Sequence, residues 1–345
     1  MSDGAHSYPH PRVSAIVVTF DGSVNTVDAC ISSLAAQTLA PSELIVSDNS
    51  PDGRFADHFD GGDVSVLKNL RNLGFTGGTW AGAEIASGDL LFFVNPDARL
   101  DPNCLELLVS ALATDPDSVI AGAQIMLPDG TVNSGELPVH FSGMSWCGNY
   151  RGAAEEGDAR EAFAVSGCAY LVRAPTFRAF RGFRSRFEMY YDDTDLCWRT
   201  RLAGLKTMFV PNARVVHDHT EKEGYRWLWV ERNRLLMVLT NTEARTLLML
   251  IPVLVAFEIC SWIMAIIGGW WKYKLQAYRQ IVFGPVWLWR ERREIRGYRT
   301  QADSSVIPYL TFELDTPGRP TPRFVRIVNG LFVRYGRWMM RTLAD

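Results

Sequence analysis

The stretch 90-LLFFVNPDARLD-101 marks the centre of the predicted sheet. Its first five residues, Leu90–Val94, are all apolar, a pattern typical of a buried strand. Pro96 cannot donate to a strand ladder, so the strand ends there and leaves Asp97 at its carboxyl end. Ligands bind at this edge of open α/β sheets, and a carboxylate there suits a divalent cation that carries phosphates. An ordinary Asn-Pro-Asp turn is the alternative interpretation.

Alternating strand and helix patterns precede this stretch. Val13–Phe20 is a β-branched run that favours a central strand, and apolar residues at helical spacing follow it as far as Gln37. Glu43–Ser47 and Val64–Leu67 have the pattern of two further short strands. Short connections between alternating strands and helices predict an α/β fold with a mostly parallel, doubly wound sheet.

Two more polar segments are expected at the carboxyl edge of this sheet. Asp48 follows a strand, and its carboxylate either accepts a hydrogen bond from a nucleobase N–H or holds a turn. The Gly-rich stretch 71-RNLGFTGGT-79 permits close backbone approach, and the N–H groups of the following helix suit a diphosphate. It contains no G-x-G-x-x-G, so a dinucleotide-binding Rossmann domain has little support.

A later acidic segment, 187-FEMYYDDTDLCWRTRLA-203, contains a predicted helix that ends at Gly204. Asp192 and Asp193 are electrostatically favoured at the helix N-terminus, so capping is one interpretation. With Asp195, three acids occupy four positions, which is more than one cap requires. Because clustered carboxylates raise one another's pKa, they suit a general base.

The residues between these motifs give weaker indications. Glu136–Asp158 has no clear period and is interpreted either as a mobile loop over a substrate or as a surface insertion. Ala164–Arg173 is strand-like, and Gly167 within it indicates close approach by a ligand or another backbone. Trp227–Asn241 is a predicted helix, and its segment 231-ERNR-234 either meets phosphates or forms a solvated face.

In chain order, the segments VVTF, SDNSPDG, NLGFTGG and NPD resemble the donor half of the family 2 glycosyltransferases. The resemblance implies a GT-A fold, which is Rossmann-like with a mostly parallel sheet, and a nucleoside-diphosphate sugar as donor, linked to UDP or dTDP. It implies that the base and the diphosphate of the donor are bound by seven residues: Thr19, Phe20, Asp48, Asn49, Asn72, Gly74 and Asn95.

The resemblance also assigns roles in catalysis. It implies that Asp193 is the general base, with Asp192 and Asp195 as supporting groups. Asp97 and His217 are the implied ligands of a divalent cation, magnesium or manganese. A purely structural role is the alternative for His217, and its rival as the ligand is His219.

Three positions depart from the family pattern. Asn95 stands where the metal motif usually begins with an acid, and Trp80 replaces a small or polar residue. Arg181-Gly182-Phe183-Arg184 replaces the usual Gly-Gly-Phe-Asp before the acidic helix. The first departure affects the charge at the metal, the second affects the helix contact near the diphosphate, and the third affects the acceptor contacts.

The end of the chain is apolar and basic. Leu247–Gly268 has about the ~20 residues that cross a bilayer, but Glu258 lies within it and basic residues flank both ends. Together with many tryptophans and the basic run Arg290–Arg299, this favours helices lying in the surface of a membrane. A spanning helix or hairpin, and a buried helix pair or dimer contact, remain the alternatives.

The composition limits the class of protein. Of 345 residues, 47% are hydrophobic, which is enough for a large core, and the net charge of −3 gives no reason to expect nucleic-acid binding. The six cysteines show no metal-finger spacing, which favours a reducing compartment, and the N-terminus has no apolar segment typical of a signal peptide. We expect a flexible tail (1–11), a catalytic domain (donor half 12–101, acceptor half 102–240) and a helical membrane-associating region (241–345).

The expected function is inverting, metal-dependent hexosyl transfer from a nucleotide sugar to a hydroxyl of a lipid-linked glycan. The apolar and basic C-terminal region suggests cell-envelope polysaccharide synthesis at the cytoplasmic face of a bacterial inner membrane. Within the family that the chain resembles, rhamnosyl- and galactofuranosyltransferases are the most similar members. Two other classes stay open. One is a non-catalytic sugar-nucleotide-binding or scaffold protein, and the other is a sugar nucleotidyltransferase, which normally has a Gly-rich basic loop where this chain has TFDGSVNT.

Overall fold

The computed structural model describes residues 11–218, 226–314 and 323–344, so the predicted tail up to residue 10 and His219 lie outside the described residues. Ten strands of the described chain form one sheet. They are Val13–Thr19 (β1), Glu43–Asp48 (β2), Val64–Lys68 (β3), Leu90–Val94 (β4), Ala98–Leu100 (β5), Ser118–Met126 (β6), Val132–Ser134 (β7), Arg160–Ala162 (β8), Ala169–Arg173 (β9) and Lys206–His217 (β10).

The sheet combines a parallel half with a mixed half. Its order is β3-β2-β1-β4-β9-β6-β10-β5, and β7 and β8 pair outside this path with β6 and β10. The strands β3, β2, β1 and β4 are parallel, as are β6 and β10. β9 joins the two parallel groups and runs antiparallel to both of its neighbours. The prediction of an α/β fold built on parallel strands is confirmed.

The helices lie on both faces of the sheet and continue into a C-terminal bundle. Those of the first part are Val24–Ala35 (α1), Arg54–Phe59 (α2), Gly74–Ile85 (α3), Cys104–Ala113 (α4), Ala174–Ala179 (α5), Asp192–Leu202 (α6) and Arg226–Asn241 (α7). Those that follow are Ala244–Ile267 (α8), Trp271–Val282 (α9), Pro285–Tyr298 (α10), Asp303–Val306 (α11) and Arg323–Ala344 (α12).

Alternation along the strands divides the core in two. Val13, Ala15 and Val17 of β1 pack with α1 and α4 on one face of the sheet, whereas Ile16 packs with α3, α5 and α6 on the other. Leu90–Val94 is completely buried, as its apolar sequence predicts. This burial on both faces fixes the strand at the centre of the sheet and places the residues after it at the carboxyl edge.

Several predicted boundaries are corrected. The strand expected from Ala164 begins at Ala169, so Gly167 lies just before it. The sequence favours two short strands, Lys206–Val210 and Arg214–Val216, but these are one strand, β10, interrupted by an irregularity between Val210 and Arg214. The surface-loop interpretation of Glu136–Asp158 is wrong for its first part, because Phe141 is fully buried against the aromatic rings of Phe312 and Phe332.

Within the described residues, one helix is long and apolar enough to cross a bilayer by length and composition: Ala244–Ile267, with a mean hydropathy of 2.4 in its most apolar window. One side of α8 packs against α9 and α12, with Leu250 and Val253 in the core. Its other side exposes a stripe of apolar residues spaced three or four apart. They are Leu248, Ile251, Val255, Ile259, Ile263 and Ile266.

Candidate active site

A cavity of about 870 Å³ opens at the carboxyl edge of the parallel strands. The segments that line it come from both predicted halves of the domain: the ends of the first strands, the Gly-rich stretch, and the loop before α6. Four of the predicted donor-binding residues lie in its wall, namely Phe20, Asn49, Asn72 and Gly74. Phe20 presents a 44% exposed aromatic ring to it, the type of surface on which a nucleobase stacks.

Asn49 connects the end of β2 to the Gly-rich stretch. Its Nδ2 donates to the carbonyl of Gly74 at 3.0 Å, and its Oδ1 accepts from the N–H of Leu73 at 3.3 Å. Asn72 Oδ1 accepts from the N–H of Gly74 at 2.8 Å and closes a tight turn. Gly74 has a φ of +70°, and a Cβ there would lie 3.2 Å from the carbonyl oxygen of Glu188. Glycine is therefore required where the two halves of the cavity meet.

Thr19 and Asp48 lie below the cavity wall and are fully buried. Asp48 accepts hydrogen bonds from the N–H groups of Ser50 and Ala56, at 2.7 and 2.9 Å, and Thr19 Oγ1 donates to it at 3.3 Å. The carboxylate thus holds the turn after β2, which was the alternative interpretation of this residue. Its contact with a nucleobase stays a prediction.

The implied metal ligands, 120 residues apart in sequence, lie side by side. Ala98 of β5 pairs with His217 at the end of β10, and His217 Nε2 lies 3.0 Å from Asp97 Oδ1. Asn95 Nδ2 is 3.3 Å from the same ring nitrogen. The described residues contain no group of three or more His, Cys, Asp or Glu side chains that could hold a metal ion. A carboxylate and an imidazole fit manganese, and two protein ligands leave positions for diphosphate oxygens.

The acidic segment forms the N-terminus of α6, and its three carboxylates have different surroundings. Asp193 Oδ2 accepts from the N–H of Gly167 at 2.8 Å, and Oδ1 from the N–H of Thr194 at 2.6 Å. Burial raises the pKa of Asp193, although these hydrogen bonds oppose the rise. Burial and then the charge of Asp193 raise the pKa of Asp192 well above that of an ordinary aspartate.

Asp195 forms ion pairs with two arginines inside the protein. It is fully buried, with Arg199 Nε at 2.8 Å and Arg184 Nη1 at 3.2 Å, and Asn241 Nδ2 donates to it at 3.0 Å. Arg184, which departs from the family pattern, is thereby buried behind α6 and also pairs with Glu291 at 3.2 Å. This position therefore serves the packing of the C-terminal helices against the acidic helix.

Two adjacent residues, Gly167 and Cys168, connect the strand end that bears the implied metal ligands to the acidic helix. The N–H of Gly167 donates to Asp193, and the carbonyl of Cys168 accepts from the N–H of Asn95 at 2.9 Å. A Cβ on Gly167 would lie 3.3 Å from the Cβ of Asp193, so the glycine predicted to mark a close approach marks this one. Asn95, two residues before Asp97, is thereby held close to Asp193.

The loop before α6 has an unusual backbone that helix α7 supports. Glu188, Tyr190 and Tyr191 all have positive φ, between 61° and 64°. Asn233 Nδ2 donates to the carbonyls of Phe187, Met189 and Tyr190 at 2.8 to 2.9 Å. The interpretation of 231-ERNR-234 as a solvated face is wrong, since all four side chains are buried. In the sequence, only the position of these four polar residues among apolar neighbours indicated that they are buried.

Comparison with known proteins identifies the domain that contains the donor segments. Residues 14–175, which include the parallel strands, the Gly-rich stretch and Asp97, match the profile described as Glycosyl transferase family 2. These residues are a family 2 glycosyltransferase domain. This chain and the solved structure of GalNAc-T7 with UDP, GalNAc and Mn2+ superpose with a TM-score of 0.57 at 15% identity. That similarity covers 68% of this chain and 48% of the other, and shows a GT-A fold.

Two curated relatives are similar to the domain in sequence. The O-antigen biosynthesis protein RfbC of Myxococcus xanthus is 30% identical over 227 residues, which is 61% of this chain and 17% of that protein. The N-acetylglucosaminyl-diphospho-decaprenol L-rhamnosyltransferase of Mycobacterium tuberculosis is 28% identical over 229 residues, 56% of this chain and 72% of that protein. The glycosyltransferase domain thus resembles bacterial rhamnosyltransferases, and these similarities support a role in glycan synthesis.

Proposed function

We propose that the protein transfers a hexosyl group, with inversion, from a UDP- or dTDP-linked sugar to a hydroxyl of a lipid-linked glycan in cell-envelope polysaccharide synthesis. One observation carries the proposal. The peptide groups of Gly167 and Cys168 hold Asp193 beside the strand end that bears Asp97, at the edge of a cavity walled by the donor segments. A direct displacement on a nucleotide sugar requires a base and a bound cation, and here Asp193 and the two implied metal ligands lie at one edge of the sheet.

The residues have separate roles in this mechanism. Asn49, Asn72 and Gly74 shape the wall that receives the diphosphate, and the Phe20 ring offers a face to the base. Asp97 and His217 hold the divalent cation, which when bound neutralises charge on the departing nucleoside diphosphate. Asp193 takes the proton from the acceptor hydroxyl as that oxygen attacks the anomeric carbon. The acceptor oxygen bonds to the anomeric carbon as the bond from that carbon to the diphosphate oxygen breaks, so no covalent sugar–enzyme intermediate is needed.

The lipid-linked acceptor is supported by the C-terminal region and by one relative. The Mycobacterium tuberculosis relative is named as a rhamnosyltransferase of N-acetylglucosaminyl-diphospho-decaprenol, a lipid-linked acceptor. In this chain the apolar stripe on α8 is accompanied by exposed large apolar residues on α9, α10 and α12, among them Phe283, Trp289 and Ile327. A protein that lies on the cytoplasmic face of an inner membrane would meet such an acceptor there.

Ion pairs inside the bundle support a helix that lies in the membrane surface rather than across it. Glu258 of α8 pairs with Arg234 and with Lys274, whose Nζ is 2.7 Å away. Lys274 also pairs with Glu231 at 2.6 Å. These ion pairs tie α8 to α7 and α9 along the border of the apolar stripe, which stays exposed, and a one-sided apolar face is typical of interfacial helices.

Nucleotide binding tests the proposal. In titration calorimetry with UDP, dTDP and GDP, each with and without manganese, we expect one nucleotide to bind in a manganese-dependent way. Asp97→Ala should remove the manganese-dependent part of the affinity, whereas Asp63→Ala, at an exposed acid before β3, should not. If a folded protein binds none of the nucleotides, the glycosyltransferase mechanism is wrong and the scaffold alternative is favoured.

A further inference from the structure

A second cavity lies outside the active site, at the N-terminus of α8. It measures about 350 Å³, and four arginines line it: Arg245, Arg292, Arg296 and Arg299. One acid, Glu243, lines it as well. Glu243 lies 3.6 Å from Arg299, which also pairs with Asp303, so the ion pairs of these two acids are made with one arginine.

The other three arginines form no ion pair within 4 Å among the described residues, although the charge of Asp303 acts on Arg292 from farther away. Arg245 donates to the carbonyl of Thr342 at 2.8 Å, and Arg292 donates to the carbonyl of Leu239. Burial and then the positive charges of Arg296 and Arg299 hold the pKa of Arg292 below its usual range. Like charges that converge on a cavity repel one another unless an anion lies between them.

Two further features of the wall suit an anion. The first turn of α8 has no side-chain cap, so its N–H groups and the helix dipole point positive charge toward the cavity. Thr242 lines the cavity, is 2% exposed, and its hydroxyl has no hydrogen-bond partner within the described structure. A buried hydroxyl without a partner costs stability, which a bound oxygen acceptor would restore.

The position of the cavity indicates where such an anion comes from. Ala244 and Arg245 lie one helical turn before Leu248, on the side of α8 that carries the apolar stripe. The cavity therefore opens at the end of the surface that would lie in lipid. Fifteen Lys and Arg residues but eight Asp and Glu follow Thr240, which further attracts the region to an anionic membrane.

We propose that this cavity binds the phosphate group of a membrane lipid, and that Arg245, Arg292, Arg296 and Thr242 hold it. The cavity would anchor α8 at a fixed position and depth, in addition to the unspecific attraction of the apolar and basic surface. It lies beside the C-terminal end of α7, whereas Trp229 near the N-terminal end of that helix lines the donor cavity. Lipid binding and nucleotide binding are thus separate properties.

Matched substitutions separate a specific site from general charge. The probe is a phosphatidylcholine vesicle with and without phosphatidylglycerol, in a flotation or sedimentation assay with the full chain. Thr242→Val changes no charge and should lower affinity for the anionic vesicle about fivefold, the value of one hydrogen bond. Thr246→Val is the control, because the Thr246 hydroxyl is equally buried and unpartnered but lies outside the cavity wall.

Arginine variants provide the second comparison. Arg293→Ala, at an exposed arginine of α10 outside the cavity wall, should lower vesicle affinity about fivefold through charge alone. Arg296→Ala should lower it about 25-fold or more, since it also removes phosphate contacts. Arg296 is exposed and has no side-chain partner among the described residues, so its loss should leave folding intact.

The following two outcomes would each overturn the proposal. Equal losses for the two arginine variants, with no effect of Thr242→Val, would show general electrostatic attraction only. Saturable binding of inorganic phosphate or pyrophosphate that shows the same variant pattern, with unchanged vesicle affinity, would make the ligand a soluble phosphate. Manganese-dependent nucleotide binding should be unchanged in all four variants, so failure here is distinguishable from failure of the glycosyltransferase mechanism.

Discussion

At the scale of single residues, three neighbouring acids acquire different properties from their surroundings. Asp195 is neutralised by two buried arginines, and Asp192 is pushed toward its protonated form by burial and by Asp193. Asp193 retains hydrogen bonds that stabilise its charged form although burial raises its pKa. A carboxylate whose pKa is raised by burial and whose charged form is still hydrogen-bonded is suited to accept a proton.

Replacement of the base is the first prediction at this scale. Asp193→Asn keeps the shape of the side chain but cannot take a proton, so transfer should fall by at least about 100-fold, the contribution typical of a general base. Nucleotide affinity in calorimetry should change little. Asp158→Asn, at an exposed acid, is the control. Transfer at the wild-type rate by Asp193→Asn would assign the base to another residue.

The pH dependence of the reaction is the second prediction. Because burial raises the pKa of Asp193, this carboxyl is protonated over a wider pH range than an ordinary aspartate. Transfer should therefore decline, as the pH is lowered, at a higher pH than an unperturbed aspartate with a pKa of about 3.9 would give. The measurement is kcat/KM against pH with nucleotide binding checked at each point. A rate that stays flat below pH 4 would contradict the assignment.

At the scale of elements, α7 is the support on which the acceptor side of the cavity rests. It contributes Asn233 to the loop before α6 and Asn241 to Asp195, while Glu231 and Arg234 pair with residues of α8 and α9. One helix therefore connects the strained loop, the acidic helix and the C-terminal bundle. Strained backbone persists only where neighbouring structure determines it, and α7 supplies that structure.

Removal of the Asn233 amide tests this support. Asn233→Ala leaves the carbonyls of Met189 and Tyr190 without this donor, while that of Phe187 keeps Arg232, so the free energy of unfolding should fall by about 2–4 kcal/mol. Denaturant unfolding followed by tryptophan fluorescence measures it. Asn212→Ala removes two exposed hydrogen bonds with Gly157 and should cost less than about 1 kcal/mol. Equal losses in the two variants would show that the amide does not hold the loop.

At the scale of the whole molecule, charge and apolar surface are divided between two regions. Residues 1–240 contain 20 Lys and Arg and 30 Asp and Glu, whereas the remainder of the chain is basic. The exposed large apolar side chains concentrate on α8, α9, α10 and α12. A basic, apolar surface attached to an acidic domain would bind an anionic bilayer with the bundle and keep the acidic domain away from it.

Membrane binding through the stripe is the prediction at this scale. Ile259→Asp combined with Ile263→Asp should lower affinity for anionic vesicles at least about 100-fold, because two exposed apolar side chains no longer enter the lipid. Leu70→Asp makes the same chemical change at a fully exposed position of the glycosyltransferase domain and should have little effect. Equal vesicle affinity in the stripe variant and the wild type would place the membrane contact elsewhere.

The sequence by itself determined the local features of this protein. The apolar run before Pro96, the alternating strands and helices, the acids at the start of α6 and the apolar length of α8 follow from neighbouring residues. The end of α6 before Gly204, a glycine with a φ of +80°, also follows from the local sequence. Such patterns depend on local backbone preference and periodicity, which a single sequence contains.

Only the tertiary structure decided which polar groups are available for chemistry. Asp48 has the same carboxylate as Asp97, but the turn after β2 occupies the first, whereas the second lies beside His217. The sequence places Arg184 near the acceptor contacts and Asn233 on a phosphate-binding or solvated face, whereas contacts with residues 46 to 57 positions away bury both. Burial and pairing depend on contacts between segments distant in sequence, and those contacts exist only in the folded chain.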